Sequence, residues 1–140
     1  MYRFFRRPLF LAFAALAVQP LPVTDQVRVI LRTELPASGA APRLEIEGQG
    51  FRASPFLSCF YERREFLPAW SVDGNLRPEA EELLAALAAA GNDGLRAGDY
   101  RPEELARLAA EARSRPEAGS LAELDRRLSD AFLTFAAHLR

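Results

Sequence analysis

The stretch Phe60-Tyr61-Glu62-Arg63-Arg64-Glu65-Phe66-Leu67-Pro68-Ala69-Trp70 decides how the chain is read. It gathers four aromatic side chains, two arginines and the only tryptophan within eleven residues. Side chains of this size dominate whatever core they join. A short amphipathic helix leads into it. Ser54-Pro55 pairs an N-cap serine with a first-turn proline, and Phe56, Cys59, Phe60 and Arg63 follow at helical spacing on one side. Pro68 predicts the end of that helix and an extended exit, because the residue before a proline is pushed out of helical space. Two readings of the aromatic residues stand side by side. Tyr61 and Trp70 are core anchors whose polar tips find backbone partners, or they hold a sugar or peptide while Arg63 or Arg64 reaches a carboxylate.

Downstream, Asp73-Gly74-Asn75 signals a turn. Pro78 then opens a helix over 79–90, with Glu79, Glu81 and Glu82 at its positive end, Leu83, Leu84 and Leu87 inward, and Gly91 as C-cap. After Asn92-Asp93-Gly94, Leu95 returns to the core, and Asp99-Tyr100 precedes a further Pro-led helix over 102–113 with Leu105, Leu108 and Ala109 inward. The last helix opens on a capping box, Ser120 with Glu123, and carries Leu121, Leu124, Leu128, Phe132 (or Ala131), Phe135 and Leu139 at alternating three- and four-residue steps. Upstream, Thr24-Asp25 caps a helix bearing Val27, Ile30, Leu31 and Leu35 inward, although Val27 to Leu31 also suits a strand by propensity. Pro36 to Pro42 is a loop, and Leu44 and Ile46 alternate with Glu45 and Glu47 in a short extended piece. The sum is an all-α fold: a small antiparallel domain of about four to five helices.

The chain begins with Arg3, Arg6 and Arg7, an uncharged run from Pro8 to Val18, and Ala15-Leu16-Ala17 as an A-x-A site. This predicts a cleaved signal peptide over 1–17 and a linker over 18–23, with retention as an uncleaved anchor the alternative. The expected place is the periplasm, with membrane contact only through the signal peptide. The formal charge is −1, and loss of the three leader arginines makes the remainder more acidic. Nucleic-acid binding calls for a basic patch or stripe, which the chain lacks. Apolar residues form 49% of the chain, enough for a packed core without disulfides, and the lone Cys59 fits a buried small hydrophobe.

No catalytic residue is assigned. Cys59 and His138 are the only cysteine and histidine, and no Gly-rich turn beside Cys59 offers oxyanion donors. They supply too few ligands for a metal, and no phosphate- or dinucleotide-binding motif is present, so no cofactor is expected. Asp125, flanking the apolar stripe, is read as a packing residue bonded to a neighbouring loop rather than an acid–base group.

Four segments together resemble a known family. Phe60-Tyr61, Arg64, Phe66, Pro68 and Trp70 fit F-Y-x-x-R-x-[YF]-x-P-x-W. Asp93-Gly94-Leu95 with Asp99-Tyr100 fits D-G-L-x-x-x-D-Y, and Glu123-Leu124-Asp125 with Leu128-Ser129-Asp130-Ala131 fits E-L-D-x-x-L-[TS]-D-A. Leu44-Glu45-Ile46-Glu47-Gly48 resembles the segment ahead of the first of these. In this order they are similar to the helical scaffold domain of large periplasmic L,D-transpeptidases of Gram-negative bacteria, over about residues 24–140. The resemblance implies a non-catalytic module. Its partners would be the catalytic domain of the parent transpeptidase or cell-wall synthesis proteins, and it would support 3–3 cross-linking of peptidoglycan. In that family the catalytic cysteine lies in an H-G…G-C-x-R context, which neither Cys59 nor His138 matches. The sequence stops at Arg140, before any such segment, as a truncated product, a fragment or a stand-alone relic would. The alternative is a stand-alone periplasmic module binding peptidoglycan or protein through the aromatic corner, with Tyr61, Arg64 and Trp70 as contacts.

Overall fold

The chain's computed structural model describes residues 19–35 and 54–140, with the backbone alone of 45–46, 49–50 and 54–55. The expected signal peptide and the loop from Pro36 to Pro42 lie outside the described residues. Five α-helices account for most of what is described: α1 (Val23–Glu34), α2 (Ser54–Arg63), α3 (Pro78–Ala88), α4 (Pro102–Ser114) and α5 (Ala118–His138). Two antiparallel ribbons complete it. In the first, β1 (Glu45–Ile46) pairs with β2 (Gln49–Gly50); in the second, β3 (Ser71–Val72) pairs with β4 (Asn75–Leu76). The all-α reading is correct.

The 21-residue α5 is the axis, packed against α1, α2, α3 and α4. Leu121, Ala122, Leu124, Leu128 and Ala131 are buried along it, and so are Asp125, Arg126 and Ser129, so its middle turns are enclosed on nearly all sides. A helix buried all round is a core helix. Ala131, not Phe132, continues the stripe; Phe132 and Leu139 are exposed. The capping box does not form. The helix starts two residues earlier, at Ala118, and the Ser120 hydroxyl donates to the carbonyls of Arg115 and Glu117. Glu123 turns to Arg126 and Arg127 instead. Magnitudes explain why the helix survives: a cap contributes about 1 kcal/mol, each buried leucine about 1.5–3 kcal/mol.

In α1, Val27, Leu31 and Leu35 are buried, so the helical reading holds over the strand. The expected cap does not: Pro22 precedes the helix with no side-chain bond, and Thr24 bonds across to Asp73 of the ribbon turn, accepting from its amide at 3.0 Å. Asp73 (φ 49) and Gly74 (φ 81) are both left-handed, as a two-residue type I′ hairpin turn requires.

The largest sequence error concerns α2. Its buried face carries Leu57, Ser58 and Tyr61, whereas Phe56 is 70% exposed and Cys59 and Phe60 are half-buried. Pro68 does not stop the helix either. α2 ends at Arg63, and two consecutive left-handed residues, Glu65 (φ 54) and Phe66 (φ 61), reverse the chain. Each costs roughly 1–2 kcal/mol for a residue with a Cβ. Several contacts offset it. The Phe66 amide donates to the Tyr61 carbonyl at 2.8 Å, and Arg28 Nε donates to the Glu65 carbonyl at 2.8 Å. The Arg32 guanidinium lies 5.4 Å over the Phe66 ring. Helix α1 therefore clamps this turn.

After α3 the chain makes two 3-10 turns, Ala90–Asp93 and Ala97–Tyr100. The C-cap glycine is Gly94 (φ 75), following the first 3-10 turn, rather than Gly91. Leu95 packs half-buried on the core, and Leu105, Ala109 and Ala112 bury one face of α4.

Candidate functional site

Where the corner meets α5, a network of polar groups is sealed inside the core. Asp125 and Ser129 sit four residues apart, on one face of α5, and both are fully buried. The Tyr61 hydroxyl donates to Asp125 Oδ1 at 2.5 Å. The backbone amides of Ala69 and Trp70 donate to Asp125 Oδ1 and Oδ2, both at 2.9 Å. Trp70 Nε1 donates to Ser129 Oγ at 2.9 Å, and Ser129 Oγ lies 2.8 Å from the Tyr61 oxygen. Since the Tyr61 hydroxyl donates its hydrogen bond to the carboxylate, the Ser129 hydroxyl donates to the Tyr61 oxygen. The hydrogen bonds thus donate in one direction, from Trp70 through Ser129 and Tyr61 to Asp125.

Burial pushes the Asp125 carboxyl above the usual aspartate value, against the pull of its three donors and of Arg64. Burial, with the Asp125 charge beside it, holds the Tyr61 phenol well above its ordinary range, so it stays protonated. Desolvating a carboxylate costs several kcal/mol, and charge-assisted hydrogen bonds return about 1.5–3 kcal/mol each. Three of them suffice to keep the group in place. Every polar atom of the network has a partner, which makes it a clasp between the corner and α5 and leaves nothing over for a ligand.

Of the three contacts in the binding alternative, burial removes Tyr61. Tyr61 is 0% exposed and its hydroxyl is engaged, so it cannot meet a ligand. Trp70 keeps 8% exposure, with its ring edge-on to Phe132 at 5.7 Å. Arg64 lies over the Phe60 ring at 5.5 Å and reaches toward the carbonyls of Leu67 and Pro68. Phe66 and Pro68 shape the same corner, Pro68 buried and Phe66 half-buried.

The other motif residues gather further along α5. Tyr100 is buried, with its ring edge-on to Phe135 at 5.3 Å and its hydroxyl 2.8 Å from His138 Nδ1. Asp93 and Gly94 form the exposed turn before Leu95, and the Asp99 amide donates to the Arg96 carbonyl at 3.0 Å. The motif residues thus form two clusters on one helix, the corner at Asp125–Ser129 and the 3-10 turns at Phe135–His138.

Two features were missed in the sequence. One is the role of Ser129, whose i+4 spacing from Asp125 signals that both face one way. The other is an ion cluster: Glu123 pairs with Arg126 and, at 2.8 Å, with Arg127 at the local i+3 and i+4 spacing of one helix, whereas Arg126 with Glu34 joins α5 to α1 and leaves no local signal. Burial pushes Glu123 up, but Arg127 and Arg126 outweigh it and hold the carboxyl below its ordinary value.

Outside the clasp, Phe60, Arg64, Trp70, Arg77, Leu83 and Phe132 line a groove of about 590 Å³ between α2, α3 and α5. Among the described residues no group of three or more carboxylate, histidine or cysteine side chains could hold a metal, and no helix is long and apolar enough to cross a membrane.

A family model described as a scaffold domain matches residues 56–140. No curated protein and no solved structure matches the chain.

Proposed function

Since the chain belongs to the scaffold-domain family, we propose that it is the non-catalytic helical module of a peptidoglycan L,D-transpeptidase, exported to the periplasm, where it supports 3–3 cross-linking of the cell wall. The observation that carries the reading is the clasp. The residues of the F-Y-x-x-R-x-[YF]-x-P-x-W and E-L-D-x-x-L-[TS]-D-A segments meet there and tie a reversing corner to the central helix. Such an arrangement is suited to rigidity: it spends its polar groups on holding the fold. Partners in this reading are the catalytic domain of the parent enzyme or other wall-synthesis proteins. The basic, apolar start of the sequence supports export.

The test is the reading frame that follows the Arg140 codon in the genome. An in-frame H-G…G-C-x-R segment supports the assignment, and a complete surrounding gene without one overturns it. Export is tested separately, by fusing residues 1–30 to a reporter enzyme active only outside the cytoplasm.

A further inference from the structure

The groove beside the clasp has the chemistry of a docking site. Much of its lining is apolar: Trp70, the half-buried Phe60, Leu83 and Ala86 of α3, and Phe132. Phe132 is 36% exposed, although it belongs to the most enclosed helix of the fold. Arg64 and Arg77 bring positive charge to the groove, and Glu79 and Glu82 on the first turns of α3 bring negative charge. Arg77 is half-buried. Its Nε is buried and has no hydrogen-bond partner among the described residues. That nitrogen is closed to solvent and so to an occupant, and Arg77 enters the groove only as positive charge along its lining, where an acidic group can pair with it.

The geometry points to a peptide segment of a partner protein as the occupant. An apolar side chain fills the groove over Trp70 and Phe132, an acidic neighbour pairs with Arg77 and Arg64, and a basic neighbour pairs with Glu79 and Glu82. A glycan is disfavoured because sugar stacks on a flat, open aromatic face. Trp70 shows 8% of its surface and packs against Phe132, too little open ring for a sugar to stack on. The anchored apolar side chain with flanking charges is the usual anatomy of a small protein–protein contact, an apolar centre with a polar rim. The inference deepens the scaffold reading and rests on it only for which protein presents the segment.

The experiment uses the single tryptophan as reporter. The chain, ¹⁵N-labelled, is titrated with the tripeptide acetyl-Glu-Phe-Arg-amide while the Trp70 indole N–H is followed by NMR. The neutral control is acetyl-Gln-Phe-Gln-amide, and a chitin tetramer is titrated in parallel. A saturable shift with the charged peptide is expected, with affinity about tenfold lower for the neutral control and for Arg77→Gln, as loss of one charge-assisted bond implies. Ala86→Glu, which fills the floor on an α3 position that tolerates a helix former, abolishes the shift. Circular dichroism of both variants confirms that the helices persist. No shift with the charged peptide, equal shifts with the neutral one, or a saturable shift with the chitin tetramer alone overturns the inference. None of these outcomes bears on the reading frame after Arg140, so a failed groove and a failed family role are told apart.

Discussion

The Tyr61 hydroxyl and the Asp125 carboxylate, 64 residues apart in sequence, meet at 2.5 Å inside the core, and the proton between them belongs to the tyrosine. That bond makes the corner and the central helix one unit. It also closes the Tyr61 hydroxyl off from any ligand.

Tyr61→Phe keeps the ring and removes the bond. Asp125 loses one of three donors and the Ser129 hydroxyl loses its acceptor, so the variant is expected to be less stable by about 2–3 kcal/mol. Urea unfolding should show a lower midpoint with an unchanged slope. An unchanged midpoint would mean that the hydroxyl contributes nothing.

Ser129→Ala leaves the Trp70 indole N–H without an acceptor and is expected to cost about 1–3 kcal/mol. Because Ser129 and Tyr61 share one relay, the double variant with Tyr61→Phe should cost less than the two single losses added together, by at least about 0.5 kcal/mol. Additive losses would mean that the groups act independently.

Asp125→Asn tests the charge and the shape together. The amide can still accept at one oxygen, but its NH₂ replaces the oxygen that faces the Trp70 amide, setting two donors against each other. A loss of about 3–5 kcal/mol is expected, the cost of breaking a buried charged network. Thermal unfolding followed by circular dichroism reads it directly.

The pH dependence has two opposed parts. The folded-state Asp125 carboxyl titrates above the unfolded value, so the stability tied to its protonation is full below the unfolded pKa and is lost as pH rises through the folded one. Glu123 titrates below its unfolded value, so its contribution is present above that value and is lost as pH falls through the folded one. Glu123→Gln is therefore expected to be less stable than the parent by about 1 kcal/mol at neutral pH. The gap should close as pH falls through the acid range. A gap that persists in acid would mean that the ion cluster with Arg126 and Arg127 is not its source. Carbon NMR of the carboxyl groups should place Asp125 above the ordinary aspartate value.

Gly94→Ala isolates backbone strain. Gly94 has φ 75, and a Cβ there meets nothing within 4 Å, so the expected loss of about 1 kcal/mol is conformational alone. Gly91→Ala, where φ is ordinary and space is open, should be neutral or slightly stabilising.

Much of the architecture was readable because it rests on local pattern. The leucine steps of α5, the Pro-led starts of α3 and α4 and the Asp-Gly turn between β3 and β4 are each short-range signals. What failed depended on tertiary partners. In α2, Phe56 and Cys59 share helical spacing with Phe60, but so do Leu57 and Tyr61. The choice between the two faces was made by Asp125 and Ser129, which capture the Tyr61 hydroxyl from another helix. The helix end at Glu65 and Phe66 was hidden for a similar reason, since their left-handed backbone is held by Arg28 and Arg32 of α1. The capping box failed because Arg126 and Arg127 claim Glu123. At the corner, aromatic and arginine content suggested a ligand site. Burial of the Tyr61 hydroxyl, which only the packed fold reveals, removed Tyr61 from it and left the groove on the far side of Trp70.

The central claim is that the corner and α5 open only together. Native-state hydrogen exchange at the Trp70 amide and indole N–H tests it most directly, because both donate into the clasp. The account predicts that both exchange with the free energy of global unfolding and with its full dependence on denaturant. Exchange of either through a local opening several kcal/mol below the global value and insensitive to denaturant would show a corner that moves independently of the helix, contradicting the account.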